Sequence, residues 1–536
     1  MQISPIIVAL YQKLERAKKL KLAIAEEENK IEVEEITSKV TFFYEKLRNS
    51  VDFKEVHLLR RFAIERNLRR RLLLETLKPQ IAKGLIEDLI RSRYLPNNAL
   101  PEKFILQVAH IIKRYNDLFL LLNDLYHTAE RKKYFDWLVG IEACEIDMLL
   151  SPETIGDSVI ETMYQAIKPR IKFSGASVDE VRVREKNVQL YIAIHKSLVK
   201  SDDTIIAYHL FNLYFPDWRQ ADENLVKVVA ANFASIHRTL QHHLKHPYQK
   251  KLLNTIKEDV VTFKILYELI LLKGDDLADL LADPEQFLAE AKILINQKYK
   301  IVGNKIRQSS IRAVIYIFVT KMTLALIFEL PYEVYIVKEL HYLPLIINVL
   351  LPPLLMFLIT LTIVPPTKEN TNKILDNLHN IIYGEPKQSI LCKLNVKYSQ
   401  NWGFRTFYYS MFTTLYILVF GFIIMLLQSL SFNILSGTLF LFFLTMVSFF
   451  ALKIRSTAKE YKVLQKKMGL LAFLIDFFSL PIVSAGRWLS TKFKKINVFA
   501  FVMDYIIEAP FKIFIATFED WLGFLKDKKE GMYHDE

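Results

Sequence analysis

Lys321 lies near the middle of an apolar run, Ile311–Leu330. A lysine at that depth of a bilayer costs about 2.5–3.5 kcal/mol, so its ammonium is expected to face protein or water rather than lipid. Two roles fit that position. It could be a counter-charge for an anion or carboxylate on a permeation path, or an ammonium satisfied at the interface or by the carbonyls of a broken neighbour. Asp476, in a later apolar stretch, is the carboxylate whose setting best suits it as partner. Glu329 is eight residues further along the same helix, about 12 Å by helical rise, and is expected to be a poor direct partner. Pro352-Pro353 is the second feature with chemical content. Adjacent prolines remove two backbone donors and free carbonyls near Asn348 and Val349. Freed carbonyls in a membrane need a neighbour, water or an ion, and broken helices of this kind form transporter sites. A simple kink in a packed span is the other reading. Lys321, Asn348, Pro352, Pro353 and Asp476 are the residues expected to line a path.

His237, His242, His243 and His246 cluster on one predicted helix, where His242 and His246 share a face at a spacing zinc can use. The metalloprotease pattern needs a Glu directly after the first His, and here His243 takes that place. With no Cys or carboxylate adjacent in sequence, a solvated polar face is expected and no metal. Arg60, Arg61, Arg66, Arg69, Arg70 and Arg71 form a basic run, followed later by Arg131-Lys132-Lys133. Such runs bind phosphates of nucleic acid or lipid. Glu55, Glu65 and Glu75 are interspersed, which predicts a salt-bridged solvated helix.

Glycine is scarce, 14 in 536 residues, and no two lie closer than Gly523 and Gly531. That spacing excludes dinucleotide-binding and P-loop glycine motifs, the G-x-S-x-G elbow and G-x-x-x-G membrane pairing. H-E-x-x-H and the protein-kinase motifs are absent too. No catalytic residue and no cofactor is therefore expected. Cys144 and Cys392 are the only cysteines, which implies neither a disulfide framework nor a cysteine zinc site.

The elements that carry these residues read as all-α. Residues 1–300 form a large helical soluble region punctuated by proline, with starts marked by Ser151-Pro152, Ser177-x-x-Glu180 and Asp283-Pro284. Leu252, Ile256, Val260, Phe263, Leu266 and Ile270 keep the stripe of a helix with one buried face. Residues 301–455 form a four-helix membrane domain, with spans at about 311–330, 343–364, 406–427 and 434–452. Bases flank the first span on its N-terminal side, fill Pro365–Arg405 and follow the fourth span, whereas Pro331–Tyr342 has one lysine and Gln428–Asn433 no charge. By the positive-inside rule, both termini are expected in the cytoplasm of a multi-pass protein of the cell or inner membrane. Residues 456–536 are expected to hold re-entrant or interfacial helices. The apolar stretch 468–489 carries Asp476, Pro481 and Arg487, and Phe511, Phe514, Phe518 and Trp521 form an aromatic stripe suited to an interfacial anchor.

The net charge of +13 is denser in the apolar part of the chain, which points to anionic head groups rather than nucleic acid. Two functions remain open: a membrane-anchored helical interaction or scaffold protein whose N-terminal region binds a protein partner, and an ion or small-solute transporter or channel. A lipid-modifying membrane enzyme is a third, without a motif behind it.

Overall fold

The computed structural model describes residues 3–51, 58–74, 80–150, 154–173, 180–338, 342–363, 366–384, 390–392, 402–464 and 469–495, together with Thr517 and Trp521. Phe511, Phe514, Phe518, Ser151 and Ser177 lie outside them, and Trp521 is half-exposed.

Apolar periodicity dictates an α-helical chain, and the helices follow in order. They are α1 Pro5–Ala25, α2 Glu35–Val51, α3 Leu59–Leu74, α4 Gln80–Arg91, α5 Lys103–Leu125, α6 Thr128–Leu150 and α7 Thr154–Ile167. Next come α8 Glu180–Ile194, α9 Asp203–Tyr214, α10 Glu223–Ala231, α11 Phe233–Leu244, α12 Tyr248–Thr255, α13 Lys257–Lys273 and α14 Leu277–Ala282. The rest are α15 Pro284–Leu324, α16 Tyr342–Leu361, α17 Lys368–Ile382, α18 Trp402–Ser429, α19 Ile434–Ala458 and α20 Leu470–Lys495. Two three-residue strands, β1 Ile171–Phe173 and β2 Ile390–Cys392, pair in parallel. The chain forms two compact units, one of residues 261–385 and 395–497, the other of residues 2–260, 386–394 and 498–536. The division falls inside α13, and residue 300, where the soluble region was expected to end, lies within the 41-residue helix α15.

The unit containing residues 2–260 is a helical body around one large apolar core. Helix α5 shows why it folds: Phe104, Val108, Ile111, Ile112, Tyr115, Leu118 and Leu122 recur at helical spacing and all are buried. Asp202 caps α9 by accepting from Ile205 N at 3.0 Å, and Asp222 caps α10 by accepting from Leu225 N at 2.8 Å. The basic run on α3 is salt-bridged within the helix, Glu65 pairing with Arg61 and Arg69, but it is not a solvated face. Arg60 pairs with Asp147 and Arg69 with Asp136. Arg61 pairs with Asp202 at 2.5 Å, Arg66 with Glu45 at 2.8 Å, and Arg70 and Arg71 both with Asp88. Every arginine of the run reaches a carboxylate on another element, so its charge is spent inside the fold. Cys144, on α6, is buried and unbridged.

Among the described residues, the other unit carries four helices long and apolar enough to cross a membrane: the helical run Pro284–Val337, then Tyr342–Leu361, Thr406–Ser429 and Ile434–Ala458. Asp283 caps the first, accepting from Glu285 N and Gln286 N at 3.0 and 3.1 Å. Ile317, Met356, Phe443, Val447 and Ala451 form a core between α15, α16 and α19. The opposite faces of α15 and α16 expose Ile315, Val319, Leu350 and Leu354, and α18 exposes Ile417 and Phe422, the apolar surface that lipid would cover. Helix α16 runs unbroken through Pro352 and Pro353, both buried, so the expected break is absent. Packing against α15 and α19 holds the two rings in a continuous helix.

Helix α20 packs on α19. Arg455 pairs with Asp476 at 3.6 Å, while a Cβ on Gly486 would lie 2.1 Å from the Thr445 carbonyl oxygen. These contacts are ten residues apart on both helices and run in opposite order, so α20 lies antiparallel along α19 instead of crossing it at one point. Gly486 also shows that a close backbone approach exists without any paired glycine motif.

Candidate functional site: a buried polar network between the apolar helices

The chain leaves α15 through two π-helical segments, Ala325–Glu329 and Tyr332–Val337. In an uninterrupted α-helix, residues eight apart differ by roughly 80° around the axis. A π turn closes less rotation per residue, which brings Glu329 back onto the face of Lys321. Lys321 Nζ donates to Glu329 Oε1 at 2.5 Å, and neither side chain has any exposed surface. The expectation that Glu329 is out of reach is thus wrong, because rise along an ideal helix ignores both the π turn and the length of the two side chains. Asp476 is not the partner of Lys321: it pairs with Arg455, and both are about half exposed. The Lys321 ammonium also lies 5.1 Å from the centre of the Phe443 ring on α19.

Asn348 extends the network. Its Nδ2 donates to Glu329 Oε2 at 2.7 Å and to the Ser436 carbonyl at 3.2 Å. Asn433 caps α19 by accepting from Ser436 N at 2.7 Å, and its own Nδ2 donates to Glu333 Oε1 at 3.1 Å. Lys321, Glu329, Asn348, Ser436, Asn433 and Glu333 are therefore one connected set, contributed by α15, the two π turns, α16 and the start of α19. It occupies the end of the bundle where the two short connections lie, away from the basic loops.

The charges do not balance. One ammonium faces two carboxylates, and among the described residues no cation pairs with Glu333, which is 1% exposed. Three buried oxygens in the set lack a hydrogen-bond partner: Glu333 Oε2, Asn348 Oδ1 and Ser436 Oγ. An unpaired buried charge is expensive, as is each unsatisfied polar atom. Carboxylate, amide and hydroxyl oxygens are the donor types that a hard cation takes. A cavity in this unit, about 670 Å³ and lined by Tyr299, Val302, Arg307, Ser310, Phe357 and Ala458 among others, contains none of the network residues.

Of the residues expected on a path, the structure joins Lys321 and Asn348, holds Pro352 and Pro353 as buried residues one turn beyond Asn348, and separates Asp476. Glu329, Glu333, Asn433 and Ser436 were missed as members. The available signal was the pair of glutamates inside or beside an apolar run, both toward the side of the loop pattern that is poor in lysine and arginine. No protein-family model, curated protein or solved structure matches this chain.

Proposed function

We propose that this is a multi-pass membrane protein whose apolar helices bind a small cation, proton included, at Glu333, Asn348 and Ser436 and pass it across the membrane. The observation that carries the reading is Glu333, a buried carboxylate with one oxygen held by Asn433 and the other left without a donor among the described residues. A passive anchor needs no ionisable group at membrane depth, and each one weakens insertion. Lys321 and Glu329 form the fixed pair in this scheme; they neutralise each other and orient Asn348. Glu333 is the exchanging group, with the cation replacing the missing positive charge. On the loop-charge pattern both termini face the cytoplasm, the basic loops lie on anionic head groups, and the cation site lies toward the opposite side.

The test is flux in liposomes reconstituted with the full chain, read separately for protons, Na⁺ and K⁺. Wild type should conduct above empty vesicles, and Glu333→Gln should lower the flux at least tenfold with unchanged insertion. Absence of flux in wild type for all three ions would overturn the proposal. The membrane-anchored interaction protein is the second reading. The apolar core Ile317, Met356, Phe443, Val447 and Ala451, packed next to the network, favours it. It assigns the helical unit, rather than the membrane helices, the working surface for a protein partner.

A further inference from the structure

The four clustered histidines separate by role once the fold is known. His237 packs edge-on against Tyr134 and Trp137. His243 is engaged on both ring nitrogens, with Tyr214 Oη at 2.9 Å from Nε2 and Gln189 Nε2 at 3.3 Å from Nδ1. His242 and His246 instead turn their Nε2 atoms toward Glu185, which α8 brings alongside the end of α11. Glu185 Oε1 lies 3.1 Å from His246 Nε2 and 4.0 Å from His242 Nε2, and the three ligand atoms all fall within 4.8 Å of one another.

We propose that Glu185, His242 and His246 bind one divalent transition-metal ion. A zinc-like ion with bonds of about 2.0–2.1 Å in tetrahedral geometry holds its ligand atoms roughly 3.3 Å apart. The two carboxylate–imidazole separations bracket that value, and the His242 side chain, 66% exposed, is free to close the wider one. Two imidazoles and one carboxylate favour borderline divalent ions over Ca²⁺ or Mg²⁺. Three protein ligands leave a position for water or an outside ligand. Glu185 and His242 both reach the surface, so the ion has a way in. Without it, Tyr248 N–H donates to His246 Nδ1 at 3.3 Å, which leaves the ring proton on Nε2, facing Glu185. Metal binding moves that proton to Nδ1 and opens the long Tyr248 contact. The bound ion ties α8 to the α11–α12 turn.

The experiment uses the full chain, purified without a histidine tag, stripped with chelator and dialysed against Zn²⁺. Bound metal per chain should be one, and Co²⁺ in its place should give the strong visible absorption of a four-coordinate site. H242A, H246A and E185Q should each weaken binding at least tenfold, whereas H110A, an exposed histidine elsewhere, should not. Since His242 is exposed, H242A is not expected to disturb folding, and an unchanged melting curve without metal checks this. Binding by the H242A/H246A double variant equal to wild type would overturn the proposal. So would a Co²⁺ spectrum identical to the aqueous ion, which would leave Glu185–His246 an ordinary hydrogen bond.

Discussion

Replacing Lys321 with methionine should destabilise the apolar unit by about 3 kcal/mol, at the low end of the 3–5 kcal/mol cost of breaking a buried ion pair. In wild type the Glu329 carboxylate accepts from Lys321 Nζ at 2.5 Å and from Asn348 Nδ2 at 2.7 Å. Lys321→Met leaves that charge in a site with no exposed surface and a single donor. The low end applies because an unfolded chain still in the membrane finds other partners for its polar groups. At about 1.4 kcal/mol per tenfold, this is roughly two orders of magnitude in the ratio of folded to unfolded protein. Glu329→Leu should cost a similar amount for the mirror-image reason, a buried ammonium without its carboxylate. The double variant Lys321→Met/Glu329→Leu removes both charges and keeps the Asn348 bond to the Ser436 carbonyl, so it should lie within about 1 kcal/mol of wild type. The assay is equilibrium unfolding of all four proteins under identical detergent conditions, read as a double-mutant cycle. Single variants that cost under about 1 kcal/mol and simply add would refute the reasoning, because the two groups would then be hydrated or apart.

Other outcomes follow from the same structure. Gly486→Ala should separate α19 from α20, since the new Cβ would sit 2.1 Å from a backbone oxygen that cannot rotate away. A loss of about 1–3 kcal/mol in unfolding stability is expected, and an unchanged melting curve would contradict the close approach. Burial lowers His209 and His237 from the ordinary 6.5 to about 4, so both stay neutral in the fold and protonate more readily when it opens. Their stabilising effect is complete above pH 6.5 and is lost as pH falls toward about 4, by about 3 kcal/mol for His209 and by less for His237, where solvent screens the charge. Denaturant titrations across that range should show the decline, and His209→Gln should flatten it. Arg61→Met should cost about 3–5 kcal/mol, because Asp202 and Glu65 lose a guanidinium that is 1% exposed. A thermal scan showing no loss would mean that the pair is solvated.

Helical class, four long apolar helices and the Asp283 cap were legible because each depends on local spacing. Apolar residues at helical periodicity, a run long enough to cross a bilayer and a side chain two residues from the amide it caps are all read along one stretch of chain. The uneven lysine and arginine content of the loops is local in the same sense. Four features needed the tertiary structure, since each depends on groups far apart in sequence or on a departure from regular geometry. The π turn put Glu329 on the face of Lys321, where ideal helical rise kept them apart. Asn348 met the Ser436 carbonyl, and Asn433 met Glu333, only because α15, α16, α19 and the π turns pack together. The α3 arginines turned inward because Asp147, Asp202, Asp136, Glu45 and Asp88 arrive from other elements. Glu185 reached His242 and His246 across more than fifty residues of chain, where no spacing rule applies. Types and periods of side chains settled by themselves what each segment is. Which charges meet was decided by packing, because an ion pair or a ligand set needs distances of a few ångströms that only the folded chain supplies.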